Sequence, residues 1–211
     1  MPHAGFLRVV TFQPRGAESA FDAHLRDTVL PQLLDIDAIV DVWVGRSGSG
    51  EDRGRVLVST WRIGPGADPD GPADIAALRA LGDGVTLIDG IEQLPLSIHA
   101  QFERAEPIRI LRVFHGRVRP GELDAYIDAA RAGMLADSET NDGLIALALG
   151  ALPPDAFTTV SVWTGWPAIE AATGGNTRQP FATRNSERLS SFTVSHYEVL
   201  PDAGHRGRDR A

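Results

Sequence analysis

Two arginines stand inside short apolar runs, Phe6-Leu7-Arg8-Val9-Val10 and Ile110-Leu111-Arg112-Val113-Phe114. A guanidinium between apolar neighbours is costly unless it is paired or wet. Arg8 and Arg112 therefore either hold an anionic or phenolate ligand or bond an acid of the opposing half, such as Glu103 or Glu198. Two tryptophans recur in the same way, in Val58-Ser59-Thr60-Trp61 and Val160-Ser161-Val162-Trp163. A large aromatic at the end of a central strand packs readily against a helix. His99, His115 and His196 fall on expected strands and His24 on an expected helix. A strand histidine is more often a satisfied core residue than a ligand, but His115 is placed to take or give a proton near neutral pH. Tyr126 lies on the inner face of a helix, where its hydroxyl either orients a substrate or ends at the rim. No His/carboxylate spacing suits a metal, so none is expected. No Gly-x-Ser-x-Gly elbow supports a hydrolase.

Two absences exclude more. The chain has no cysteine, which removes disulfides, thiolate metal sites and thiol nucleophiles. All 20 of its Lys and Arg residues are arginine. Without lysine there is no internal Schiff base and no P-loop lysine.

The elements that carry these residues come twice. Phe6 to Phe12 reads as a strand, ended by Pro14 and Gly16. Phe21, Leu25 and Val29 then recur at helical spacing, and Pro31 is expected to kink or end that helix. Ala38 to Val44 and Val56 to Trp61 are strands about a Ser/Gly-rich hairpin, Arg46 to Gly54. Val40, Val42 and Val44 are expected to oppose Ile39 and Trp43. A Gly/Pro/Asp loop, Gly64 to Pro72, leads to a short helix, Ala73 to Leu81. Leu96 to Phe102 is a strand with Leu96, Ile98, Ala100 and Phe102 on one face.

The second half repeats the order: strand Arg109 to Phe114, helix Leu123 to Met134, strands Leu144 to Leu149 and Phe157 to Trp163. A helix then opens at Pro167 and stops at Gly174-Gly175. A short helical stretch, Phe181 to Leu189, precedes the strand Phe192 to Leu200. The offset between halves is 104 at Arg8/Arg112, 102 at Trp61/Trp163 and 97 at His99/His196. The expected division is a repeat over 1–104, a second over 105–202 and a mobile tail over 203–211.

Strand, helix, strand, strand, helix, strand is the ferredoxin-like order. The fold class expected is α+β: two tandem ferredoxin-like (βαββαβ) repeats packed as an intramolecular α+β barrel, which would cover the apolar second face of each sheet. Trp163 followed by Trp166-Pro167-Ala168-Ile169-Glu170-Ala171-Ala172, Trp61 with Ile75-Ala76-Ala77-Leu78, and Thr28-Val29-Leu30-Pro31 carry a resemblance to a known group. The chain resembles the dimeric α+β barrel superfamily, in particular antibiotic-biosynthesis-monooxygenase-like domains. The resemblance implies a cofactor-independent monooxygenase-like protein acting on a small aromatic or polyketide-like compound in an apolar pocket. In it Arg112, His115 and Trp163 would be catalytic, with Tyr126, Arg8, Trp61, His99 and His196 binding substrate. The alternatives are a non-catalytic small-ligand-binding barrel and a haem-binding barrel. The haem-degrading branch has a His at or just after the second helix; here that region holds Ala80-Leu81-Gly82 and Ala171-Ala172-Thr173. No cofactor is therefore expected, and haem is disfavoured.

The net charge of -8 argues against a nucleic-acid partner. No apolar run approaches the ~20 residues of a membrane helix, and no secretory signal is evident. The expectation is a cytoplasmic protein with a small-molecule ligand, no membrane partner, and a monomeric pseudo-dimer or homodimer.

Overall fold

The computed structural model describes residues 5–15, 17–48, 54–62, 85–102, 107–181 and 185–200. It is a mixed α+β protein with eight antiparallel strands and few helices. Its compact units are Met1–Gln93 with Tyr197–Ala211, and Leu94–His196.

In the first unit, β1 (Gly5–Pro14), β2 (Ile39–Ser47) and β3 (Arg55–Arg62) lie in the order β1-β3-β2. The last residues of β8 (Leu189–Val199) continue it, with Tyr197 opposite Ser47 and Val199 opposite Gly45. Val and Ile runs with few polar interruptions suit strands buried on both faces. Phe6, Val10 and Phe12 pack under the helical segment, and the alternate residues Leu7 and Val9 are buried too. A register shift between Ile39 and Asp41 changes the expected alternation of β2. Ile39 joins Val42 and Val44 in the helix-side core instead of opposing them.

Of the two outcomes expected at Pro31, a kink or an end, the helical segment does not end there. It runs as α1 (Glu18–His24), a π-helical stretch (Leu25–Val29) and α2 (Leu30–Leu34). The Leu30 N–H bonds the Leu25 carbonyl, five residues back. Proline lacks a donor and its ring crowds the carbonyl of an ordinary turn; the wider π turn relieves both, so the helix passes through. Phe21, Leu25, Val29, Leu30 and Leu33 are all buried. The expected helix Ala73 to Leu81 and loop Gly64 to Pro72 lie outside the described residues.

The second unit runs β5 (Ile110–Val118), α3 (Leu123–Thr140), β6 (Leu144–Leu152), β7 (Ala156–Trp163), α4 (Trp166–Thr173), a 3-10 turn (Ser186–Arg188) and the start of β8. Its strand order is β8-β5-β7-β6-β4, with the end of β4 (Val85–Gln101) against β6. α3 buries Leu123, Tyr126, Ile127 and Ala130, the stripe its spacing foretells. α4 stops where Gly174 takes φ 69°, a left-handed cap that glycine adopts without a Cβ penalty.

β4 is longer than its sequence suggests, starting at Val85. Gly90 and the exposed Pro95 disguise it, since proline usually marks a strand's edge or end. Just after Pro95 the register slips: Leu96 faces Gly150 and Ile98 faces Leu149. Those two β6 neighbours point to opposite faces, so Leu96 does not share the face of Ile98 as expected.

Candidate functional site

The second unit gathers most of the chemistry around Arg112. Strand alternation turns Ile110, Arg112 and Phe114 toward α3 and α4, and Leu111, Val113 and His115 the other way. Arg112 is 1% exposed. Its Nε donates to the Thr177 carbonyl at 3.4 Å and its Nη2 to the Gln179 carbonyl at 2.5 Å. The guanidinium lies 4.8 Å from the Phe181 ring centre and 5.5 Å from that of Phe114. Among the described residues no carboxylate acts on it; burial lowers its pKa to about 10, and Tyr126 offsets part of that. The expected bond of Arg112 to Glu198 is not made, since Glu198 pairs with Arg46 at 3.3 Å; Glu103, the other expected partner, lies outside the described residues.

A second buried arginine shows what a structural role looks like. Arg55, with its side chain 0% exposed, bonds Asp22 at 2.9 Å and Glu18 at 3.1 Å, tying β3 to α1. Its charge is matched. Among the described residues that of Arg112 meets neutral carbonyls and aromatic faces.

Three more of the expected residues stand on the Arg112 side. Tyr126 packs on Phe157 at 4.4 Å, and burial pushes its hydroxyl well above the ordinary range, with Arg112 pulling it part of the way back. Phe157 fits there because Gly116 has no side chain; a Cβ on Gly116 would sit 2.3 Å from the Phe157 ring. Trp163 donates its Nε1–H to the Ser161 hydroxyl at 2.8 Å and lies 5.6 Å from Phe181. His196 lies against Trp166 at 5.0 Å. Burial, then the charges of Arg112 and Arg178, lowers the pKa of His196 to about 4, against a smaller upward pull from the Thr177 backbone. Its Nε2 is sealed from solvent without a hydrogen-bond partner among the described residues.

The other expected residues stand elsewhere. His115 and His99 occupy the opposite face of the same sheet, His115 bonding the Thr158 hydroxyl at 3.1 Å and His99 facing Ala148. Arg8 and Trp61 belong to the first unit. There Phe6 stacks on Trp61 at 5.3 Å, Arg8 lies 5.2 Å from both rings, and Trp61 donates to Ser59 at 2.7 Å. The Arg8 guanidinium donates to Gln93 Oε1 through Nε at 3.2 Å and more closely through Nη2. Sequence reasoning missed Phe181, Arg178 and the Thr177 and Gln179 carbonyls. Backbone acceptors in a Gly/Asn/Thr turn carry no side-chain signal, so nothing in the sequence marks them.

No protein-family model matches the chain, and no curated protein matches it. Solved structures do. A candidate monooxygenase of Fusobacterium nucleatum superposes with a TM-score of 0.70 at 10% identity, covering 95% of this chain and 94% of that one. A ferredoxin-fold protein of Listeria monocytogenes, related to antibiotic biosynthesis monooxygenases, gives 0.51 at 11% identity, with 94% and 95% covered. A mutant chlorite dismutase of Candidatus Nitrospira defluvii gives 0.61 at 10% identity, with 96% and 94% covered. At such identities the likeness establishes the fold.

A haem needs an axial donor and a flat space. Among the described residues the imidazole on the Arg112 side of the second unit is His196, and its ring is already packed against Trp166. Phe157 contacts Phe114 and Tyr126, and Phe181 contacts Trp163, with ring centres 4.4 to 5.8 Å apart.

Proposed function

We propose that the chain is a monooxygenase-like protein that oxidises a small aromatic or polyketide-like compound at the Arg112 site, without a metal or cofactor. The observation that carries this reading is a fully buried guanidinium with no carboxylate among the described residues, set in an aromatic wall. Such a site favours a flat ligand on which negative charge develops. In this reading a methylene flanked by aromatic or carbonyl groups loses a proton, and Arg112 holds the resulting enolate or phenolate charge. The electron-rich carbon then reduces dioxygen. One oxygen atom stays as the new carbonyl, and the other leaves with the two hydrogens as water. His196, neutral at pH 7 and with no partner for Nε2 among the described residues, is the proton acceptor on the Arg112 side; His115 faces away from Arg112. Trp163 and Tyr126 supply the wall and the positioning hydroxyl.

The same proposal includes descent by duplication and packing of the halves as an α+β barrel. Its support is a shared register. Phe6 faces Trp61 and Arg8 faces Ser59, as Ile110 faces Trp163 and Arg112 faces Ser161.

Oxygen uptake with anthrone-like and hydroquinone substrates tests the activity. The parent should turn over, Arg112→Ala should lose about a hundredfold, as for removal of one oxyanion-stabilising donor, and Trp163→Phe should lose less. No turnover over a broad panel would leave the ligand-binding alternative. A Soret band in the purified protein, or after adding haemin, would overturn the cofactor-free reading.

A further inference from the structure

We propose that the ligand at this site is an aromatic monoanion, joined to the protein through its carboxylate or phenolate oxygen at Arg112. This rests on Arg112 facing a ligand, as in the function proposed above, and narrows the substrate class.

The argument begins with charge. The chain carries 28 acidic residues against 20 arginines. Even so, two arginines converge on His196, the buried Arg112 and the exposed Arg178, and no carboxylate acts on Arg112 or His196 among the described residues. A cationic spot in an acidic protein draws anions by its local field. The acceptors that Arg112 now uses, Thr177 O and Gln179 O, are neutral. A ligand carboxylate adds the attraction of a full negative charge, which these carbonyls lack, and so displaces them.

The charge number follows from the neighbours. Tyr126 and His196 are both neutral at pH 7, so the buried part of the site offers one positive charge. Arg178 at the surface steers rather than seats the ligand. The aromatic body follows from the rings. Trp166, 43% exposed, touches His196, and Phe192, 37% exposed, stacks on Phe114 at 5.4 Å. These partly open rings lead to the closed ones over Arg112. The first unit lacks the same offer, because Gln93 Oε1 already accepts from Arg8 and Phe6 covers Trp61.

Isothermal titration with 2-naphthoate, its neutral methyl ester and 2-naphthol, mostly neutral at pH 7, tests this on the full chain. The parent should prefer naphthoate over the ester by about tenfold or more. Arg112→Met should bring the two within about twofold, and Arg8→Met should leave the preference intact. Arg178→Ala should slow naphthoate association and weaken its salt dependence. A phenolate source would show instead as 2-naphthol binding that tightens as pH approaches its own pKa. Equal binding of acid and ester, with no such tightening of naphthol, would overturn the proposal. So would no binding of any probe at millimolar concentration, or a preference that survives Arg112→Met. If Arg112→Met fails to fold, the parent's acid-over-ester ratio and Arg178→Ala decide. The readout is binding, so it separates from the oxidative reading. Naphthoate binding without oxygen uptake on any substrate sinks the oxidation alone; turnover of a neutral anthrone without acid preference sinks the monoanion alone.

Discussion

Arg112 and Arg55 make a natural pair of controls. Both are buried, but among the described residues Arg55 bonds two carboxylates and Arg112 none. Replacing a buried, unmatched charge by an apolar side chain of similar length removes a desolvation penalty. Arg112→Met should therefore hold or raise the melting temperature. Arg55→Met, which strips Asp22 and Glu18 of their shared partner, should lower stability by about 2 kcal/mol. A differential scan of both variants checks the contrast. His196 gives a pH signature. Its folded pKa is about 4 against the ordinary 6.5, so between those values the unfolded chain binds more protons. The contribution of His196 is whole above about pH 6.5 and is lost as pH falls toward 4. Urea titrations across that window should show the slope in the parent and a shallower one in His196→Gln.

Strands and helices were read well where periodicity is strong. The stripe Leu123, Tyr126, Ile127 and Ala130 and the run Phe157 to Trp163 are buried as their spacing requires. The misreadings share one cause: single-residue slips in register, which the sequence does not display. The bulge at Ile39/Asp41 moves Ile39 to the other face, and the slip at Leu96/Ile98 does the same for Leu96. The site was legible in part for the same reason. Arg112, Tyr126 and Trp163 fall on faces fixed by regular alternation. His115 was grouped with Arg112 although odd and even positions of a strand point apart. Gly116 shows how tightly β5 and β7 hold this wall. Gly116→Ala would force its Cβ onto the rings of Phe157 and Phe114, and should cost about 1–3 kcal/mol in urea unfolding.

For the whole chain, composition excluded more than it assigned. The absence of cysteine and lysine removed whole reaction classes, and no helix among the described residues is long and apolar enough to cross a membrane. Net charge of -8 described the average surface and hid the unmatched Arg112.

The first compact unit is discontinuous in sequence, since it takes in Tyr197–Ala211 as well as Met1–Gln93. Tyr197 to Val199 complete the ladder beside Ser47 to Gly45. On the ribosome, strand β2 must therefore wait for Tyr197 to Val199 before that edge is paired, while Leu94–His196 can assemble from one uninterrupted stretch. Stop codons shortly before Tyr197 would injure the N-terminal body more than the C-terminal one.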